Sequence, residues 1–195
     1  MPQYKPTTLT DLRLRDLPRG RHEAAEIPTG TEGWYRLAES YKEAADRLVA
    51  SMEDPFTYAM YGAPLMFMYR HYIELHLKSL LLDAGELLDE PQDIPPKHYL
   101  LGLWRRVRQL LLAISPESDG VWFRRSGEVI SDFDSIDPTS FVFRYPVNNA
   151  GHTSTARGQY IDPQVARQMI GELHILLSGA SSQIDVYMGY KYDRY

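Results

Sequence analysis

An arginine and a histidine seven positions apart, Arg167 and His174, stand on the last apolar-periodic stretch of this 195-residue chain. Seven residues is close to two helical turns, so both side chains project from one helix face. Together they suit phosphodiester chemistry. RNA cleaves itself when its 2′-hydroxyl attacks the neighbouring phosphate, and an imidazole that titrates near neutrality can take that proton. A guanidinium can hold the phosphate oxygens with two parallel hydrogen bonds as negative charge builds. Such a step needs no metal. The plainer account is an ordinary helix whose His174, between Leu173 and Ile175, lies at the edge of the core. Two other arginine–histidine pairs compete: Arg70 with His76, which diverge on a helical wheel, and Arg144 with His152, which are further apart in sequence.

A second set of ionisable groups lies in "YRHYIELHLKSLLL", residues 69–82. At about 100° per residue, Arg70, His71, Glu74 and Lys78 share one arc, and Glu74 is four residues from both Arg70 and Lys78. Tyr69, Tyr72, Ile73, His76 and Leu80 share the opposite side. The arrangement reads as a structural polar stripe, Arg70, Glu74 and Lys78, on a central helix. It is either a salt-paired ladder facing solvent or a polar neighbour, or a row that orients groups of another helix inside a cleft. His76, on the aromatic side, reads as a hydrogen-bonded core histidine rather than a catalyst or ligand. In "SFVFRYPVNNAGH" (140–152), Arg144 is placed to clamp a carboxylate, Glu74 for instance, or a phosphate. "WRRVRQL" puts Arg105, Arg106 and Arg108 outside the Trp104/Val107 face, with Arg124 and Arg125 near in sequence. They form either a phosphate-tracking patch or an ordinary solvated surface. His71 and Glu74 offer one edge of a metal site but no second matching pair, so neither a metal nor a cofactor is expected. There is no phosphate-cradling glycine loop and no nucleophile elbow.

These residues need elements to place them. Trp34, Leu37, Tyr41, Ala45, Leu48 and Met52 recur at steps of three or four, a helix from about residue 32 that ends near Asp54 and Pro55. A second helix begins at Tyr58 or Pro64, with Pro64 suited to its first turn, and runs to Ala84, where Gly85 serves as cap. A third covers about 98–114 through Leu101, Trp104, Val107, Leu111 and Ile114, and Ser115–Pro116 ends it. A fourth covers about 119–133, with Gly127 weakening its continuity. A long loop follows, with a short hairpin near 148–151. Asp162 and Pro163 then open the last helix, whose period runs through Val165, Met169, Leu173, Leu176 or Leu177, Ala180, Ile184 and Tyr187. Residues 1–31, with four prolines, read as an irregular N-terminal arm, 32–187 as one helical bundle, and 188–195 as a frayed, tyrosine-rich tail. The fold class is therefore all-α, four or five helices.

Composition sets outer limits. A net charge of −5 excludes a broadly basic nucleic-acid coat but not a local patch. With no cysteine there is neither a disulfide nor a thiolate zinc site. No apolar run reaches the roughly 18 residues of a membrane span, and the start carries no apolar signal core, so the cytoplasm is the expected compartment.

Four stretches taken together resemble HEPN-like domains of prokaryotes: "RHYIELHLKSLLL", "HYLLGLW" at 98–104, "DPTSFVFRYP" at 137–146 and the long final helix. The resemblance covers roughly residues 34–187. It implies a HEPN-like helical bundle of a bacterial defence or toxin–antitoxin system, homodimeric, with RNA or a cognate antitoxin or defence-system protein as partner. Active members are metal-independent ribonucleases marked by arginine, four to six residues, then histidine near the last helix. Arg167 and His174, with six residues between, match that spacing. Two such pairs meeting across a two-fold axis would make one composite cleft. The alternative is a non-catalytic dimerisation or partner- and RNA-binding module on the same fold; a helical adaptor unrelated to nucleic acid is the third.

Overall fold

Asp54 starts the longest helix. Its carboxylate accepts hydrogen bonds from the backbone N–H groups of Phe56 and Thr57, and the Thr57 hydroxyl accepts one from the Asp54 N–H. This reciprocal box, with proline following at Pro55, satisfies donors that a helix start leaves unpaired. In the computed structural model, which describes residues 27–30, 33–117, 120–147, 150–154 and 160–193, that helix is the second of five. The helices are α1 (Gly33–Ala50), α2 (Pro55–Leu87), α3 (Leu100–Ile114), α4 (Gly120–Ile136) and α5 (Pro163–Tyr192). The described residues hold no strand, only an isolated antiparallel bridge between Val147 and Thr153. The protein is an all-α bundle. Among the described residues no helix is long and apolar enough to cross a membrane. The N-terminal arm before residue 27 lies outside the described residues.

α2 is the axis. It packs against α1, α3 and α5, and α4 joins α3 to α5 on the far side. From Leu65 to Leu81 only Phe67, Met68 and His71 escape full burial, so α2 is enclosed all round, as a central helix must be. The expected start at Tyr58 or Pro64 is corrected to Pro55: the Asp54–Thr57 box decides it. Pro64 sits inside the helix on an exposed turn, and Met60, whose carbonyl loses its helical partner, is exposed too. Gly85 is not the cap. It lies within the last turn, the chain turns at Leu88, and Asp89 takes the left-handed conformation with φ 58°. Gly85 is needed for another reason: a Cβ there would stand 2.7 Å from the Glu90 carbonyl oxygen and 2.6 Å from Gln92 Cγ.

One more glycine and one more helix end differ from expectation. α4 runs unbroken through Gly127 to Ile136, because the missing Cβ lets the Trp104 indole approach to 3.1 Å of where it would be. α3 begins at Leu100, whose N–H is held by the Asp134 carboxylate of α4 at 2.9 Å. Asp119 and the hairpin residues Asn148 and Asn149 lie outside the described residues.

α5 opens as expected, with Asp162 accepting from the N–H groups of Gln164 and Val165. Leu173, Leu177 and Ile184 of the expected row are buried, joined by Ala166 and Ile170, whereas Val165 and Tyr187 at its two ends are exposed. The tail is not frayed through residue 192. Lys191 Nζ donates to the carbonyls of Glu86 and Leu87 and to the Asp89 carboxylate, and Tyr192 donates to Glu86. A cation on the last carbonyls of α2 also opposes that helix's dipole.

Candidate functional site

Two polar layers flank α2. In the first, the Arg70 guanidinium is fully buried. Its Nε–H donates to the Asp137 carbonyl at 2.6 Å, one terminal nitrogen donates to the His98 carbonyl at 2.6 Å, and the other to Glu74 at 3.3 Å. Glu74 also accepts from Lys78 at 2.6 Å and lies 2.7 Å from His98 Nδ1. Burial alone would push the Glu74 carboxyl up; the hydrogen bonds from Lys78 and His98 outweigh it and hold the group below its ordinary value. Burial likewise lowers Arg70, against the opposing pull of Asp137 and Glu74. The Asp137 carboxylate caps the loop by accepting from the N–H groups of Phe141 and Val142.

The stripe of Arg70, Glu74 and Lys78 is therefore buried rather than solvated, and it ties α2 to the loop entering α3 and the loop leaving α4. Arg144 does not clamp Glu74. It donates to the Ser140 carbonyl at 2.6 Å and lies over the rings of Phe67 and Tyr145. His98 holds the place expected for it, a residue that reads from sequence only as the start of a helix. Of the other arginines, Arg106 bonds Gln92, while Arg105 and Arg108 line a shallow groove with Arg124, Trp104 and Phe123.

The second layer runs along the seam of α1, α2 and α5. Glu39 and Asp46 on α1 share the seven-residue spacing of Arg167 and His174 on α5. The helices run antiparallel, so the two spacings meet in register. Glu39 Oε1 is 3.6 Å from His174 Nδ1, and Asp46 Oδ1 is 3.7 Å from Arg167 Nε. α2 supplies the floor. Tyr69 donates to Asp46 at 2.7 Å, Tyr72 Oη lies 3.1 Å from His174 Nδ1, and His76 Nε2 lies 3.1 Å from Ser181 Oγ. Tyr69, Tyr72 and His76 are fully buried; the Arg167 side chain is about half exposed (47%) and that of His174 less so (28%). The seam is thus a trough with a dry floor and a charged rim.

No protein-family model matches this chain, and no curated protein or solved structure matches it either.

The chemistry of the trough rests on its own geometry. Burial lowers the His174 pKa, opposed by Glu39 and assisted by Lys42, so the ring is neutral at physiological pH. In the tautomer with the proton on Nδ1, which the Glu39 carboxylate 3.6 Å away favours, Tyr72 Oη accepts and the lone pair is left on Nε2, where the described residues place no hydrogen bond. Burial drives His76 down to about 3, with His174 adding to the fall. Tyr72 is pushed well above the ordinary phenol value by burial, so it stays protonated. Glu39, His76 and His174 also bring one ligand-type atom each within 4.8 Å of one another.

The structure brings Arg167 and His174 onto one rim and keeps them apart from Arg70, Arg105, Arg106, Arg108 and Arg144. Sequence reasoning missed Glu39, Tyr72 and Ser181. The signal that could have found Glu39 is the equal spacing of Glu39/Asp46 and Arg167/His174, opposite charges in matching register on two helices.

Proposed function

We propose that the chain is a HEPN-like bundle of a bacterial defence or toxin–antitoxin system and acts as a metal-independent endoribonuclease. The observation that supports this most is the oriented histidine: His174 Nδ1 lies 3.1 Å from Tyr72 Oη with the Glu39 carboxylate 3.6 Å away, two helical turns from a half-exposed arginine. His174 Nε2 takes the proton from a ribose 2′-hydroxyl. The freed oxygen attacks the adjacent phosphorus, giving a 2′,3′-cyclic phosphate and releasing the 5′-oxygen of the next nucleotide. Glu39 offsets the imidazolium that forms. Arg167, which stands beyond hydrogen-bond distance from Asp46, turns to the phosphate oxygens. The imidazolium so formed returns its proton, directly or through water, to the leaving 5′-oxygen, and a second copy across a two-fold axis sets a matching Arg167–His174 pair beside the first. Incubation of RNA with the purified chain in EDTA tests this: 2′,3′-cyclic phosphate ends are the expected product, and equal cleavage by a folded His174→Ala variant removes His174 from the mechanism.

A second function, a non-catalytic dimerisation or partner- and RNA-binding module, is favoured by a different observation. Trp122 and Ile175, both largely exposed, border an apolar groove between α4 and α5 floored by Leu176, Gly179 and Ala180. A stable complex with no cleavage would select it.

A further inference from the structure

His76 is fully buried, and its Nδ1 has no hydrogen-bond partner among the described residues. Its other ring nitrogen is engaged with Ser181 Oγ at 3.1 Å. With the proton on Nε2, donated to Ser181, Nδ1 presents a bare lone pair. Facing it at 3.9 Å is Glu39 Oε1, which is itself closed to solvent and without a partner among the described residues. In that tautomer two electron-rich atoms face each other with no donor between them, a buried polar deficit that a cation would fill. The Nδ1 of His174 lies 3.6 Å from the same Glu39 oxygen, a third donor turned to the same point.

We propose that Glu39, His76 and His174 bind one divalent first-row transition-metal ion, with zinc the best match to two imidazoles and a carboxylate. Zinc bonds such ligands at about 2.0–2.1 Å, which for a tetrahedral ion sets them about 3.4 Å apart. The 3.6 and 3.9 Å separations here need to close by about half an ångström or less. All three ligand atoms already lie within 4.8 Å of one another. Ser181 supplies the outer hydrogen bond that fixes the tautomer and ring orientation of a ligating histidine. The fourth position falls to water or to Tyr72 Oη, 3.1 Å from His174 Nδ1. The sequence gives no hint of such a site, because the ligands come from α1, α2 and α5, far apart in the chain.

The inference stands apart from RNA cleavage and constrains it. Coordination through His174 Nδ1 requires that nitrogen's lone pair, so the proton moves to Nε2. A histidine protonated on Nε2 cannot accept the proton of a 2′-hydroxyl. The bound ion therefore silences the nuclease rather than driving it.

The test is binding, not activity. The chelator-stripped chain is titrated with Zn²⁺ by calorimetry and with Co²⁺ by visible absorption. One ion per chain is expected, with the intense d–d bands of a four- or five-coordinate site. Ser181→Ala should weaken binding by roughly 10–100-fold, the scale for loss of an outer-shell partner, and Glu39→Gln by more. Glu39→Gln replaces a half-open carboxylate with its isostere, and its thermal melt in chelator shows whether it is folded. Absence of saturable binding overturns the site, as does Zn²⁺ affinity unchanged in folded Glu39→Gln, which would place the ion elsewhere, for example at His98 and Glu74. A trough that holds only water gives the first of these results.

Discussion

The Arg70 guanidinium, with no exposure to solvent, donates its Nε–H to the main-chain carbonyl of Asp137 at 2.6 Å, joining the middle of α2 to the exit of α4. The charge is balanced by the buried Asp137 carboxylate, 3.8 Å away, and by Glu74, which also carries Lys78. Removing Glu74 strips Lys78 of its carboxylate and leaves the enclosed Arg70 with Asp137 alone. Glu74→Ala should cost about 3 kcal/mol, the scale for breaking a buried pair from one side. Urea unfolding measures it; an unchanged midpoint would contradict the buried arrangement.

His76 gives the fold an acid limit. The native ring stays neutral until about pH 3, whereas the unfolded imidazole takes a proton below about 6.5. The unfolded state thus binds more protons through that window, and stability falls as pH drops from about 6.5 toward 3. The groups facing the ring are Tyr35 and Glu39 on α1, Tyr72 on α2, and His174, Ser181 and the Leu177 backbone on α5. A loss of roughly 2–3 kcal/mol between pH 7 and pH 4 is expected from His76 alone. Unfolding followed in chelator at both pH values should show that loss shrinking in a folded His76→Gln variant.

Cleavage, if His174 is the base, should fall by about 10² or more in His174→Ala, the scale for loss of an acid–base group. Arg167→Ala should fall similarly while leaving the melting temperature within a degree or two, because its side chain is half exposed and its contact with Asp46 is long. Single-turnover rates on a defined RNA, in EDTA, report both. An Arg167→Ala rate equal to wild type removes the phosphate clamp.

Gly85→Ala sets two effects against each other. Alanine favours a helix by about 1 kcal/mol over glycine. The added methyl would meet the Glu90 carbonyl at 2.7 Å, and backbone yields less readily than the end of a flexible side chain. Overpacking of this kind costs about 1–3 kcal/mol, so the substitution should destabilise on balance. A raised melting temperature would show that the 90–92 segment moves aside freely.

Ile175, 62% exposed and one residue from His174, should lie in the contact if two copies join. Ile175→Glu should then convert a sedimenting dimer to a monomer at micromolar concentration. A wild-type chain that already sediments as a monomer would sink the paired cleft.

Much of the bundle was legible because its signals are local. Asp162 and Pro163 mark a helix start with their own chemistry, and the stretch 69–82 is too apolar to be anything but central. The start of α2 reads late from sequence, at Tyr58 or Pro64, because Asp54 and Pro55 read only as the end of the preceding helix and not as the box that satisfies the donors of the next. The site was half legible. Arg167 and His174 follow from spacing on one helix, whereas Glu39, Tyr72 and Ser181 join them only when α1, α2 and α5 take a particular register. No periodicity within one helix carries that information.

That register has a gauge at its far end. Residue 191 lies about 25 Å along α5 from residue 174, and Lys191 there grips the final carbonyls of α2. A slip of one turn, about 5.4 Å, would break that grip and mismatch both Glu39–His174 and Asp46–Arg167 together. Three marks on one rule must agree or fail as a set. The last residues of α5 thus calibrate the trough at a distance, and a tag or cut placed there would detune chemistry it never touches.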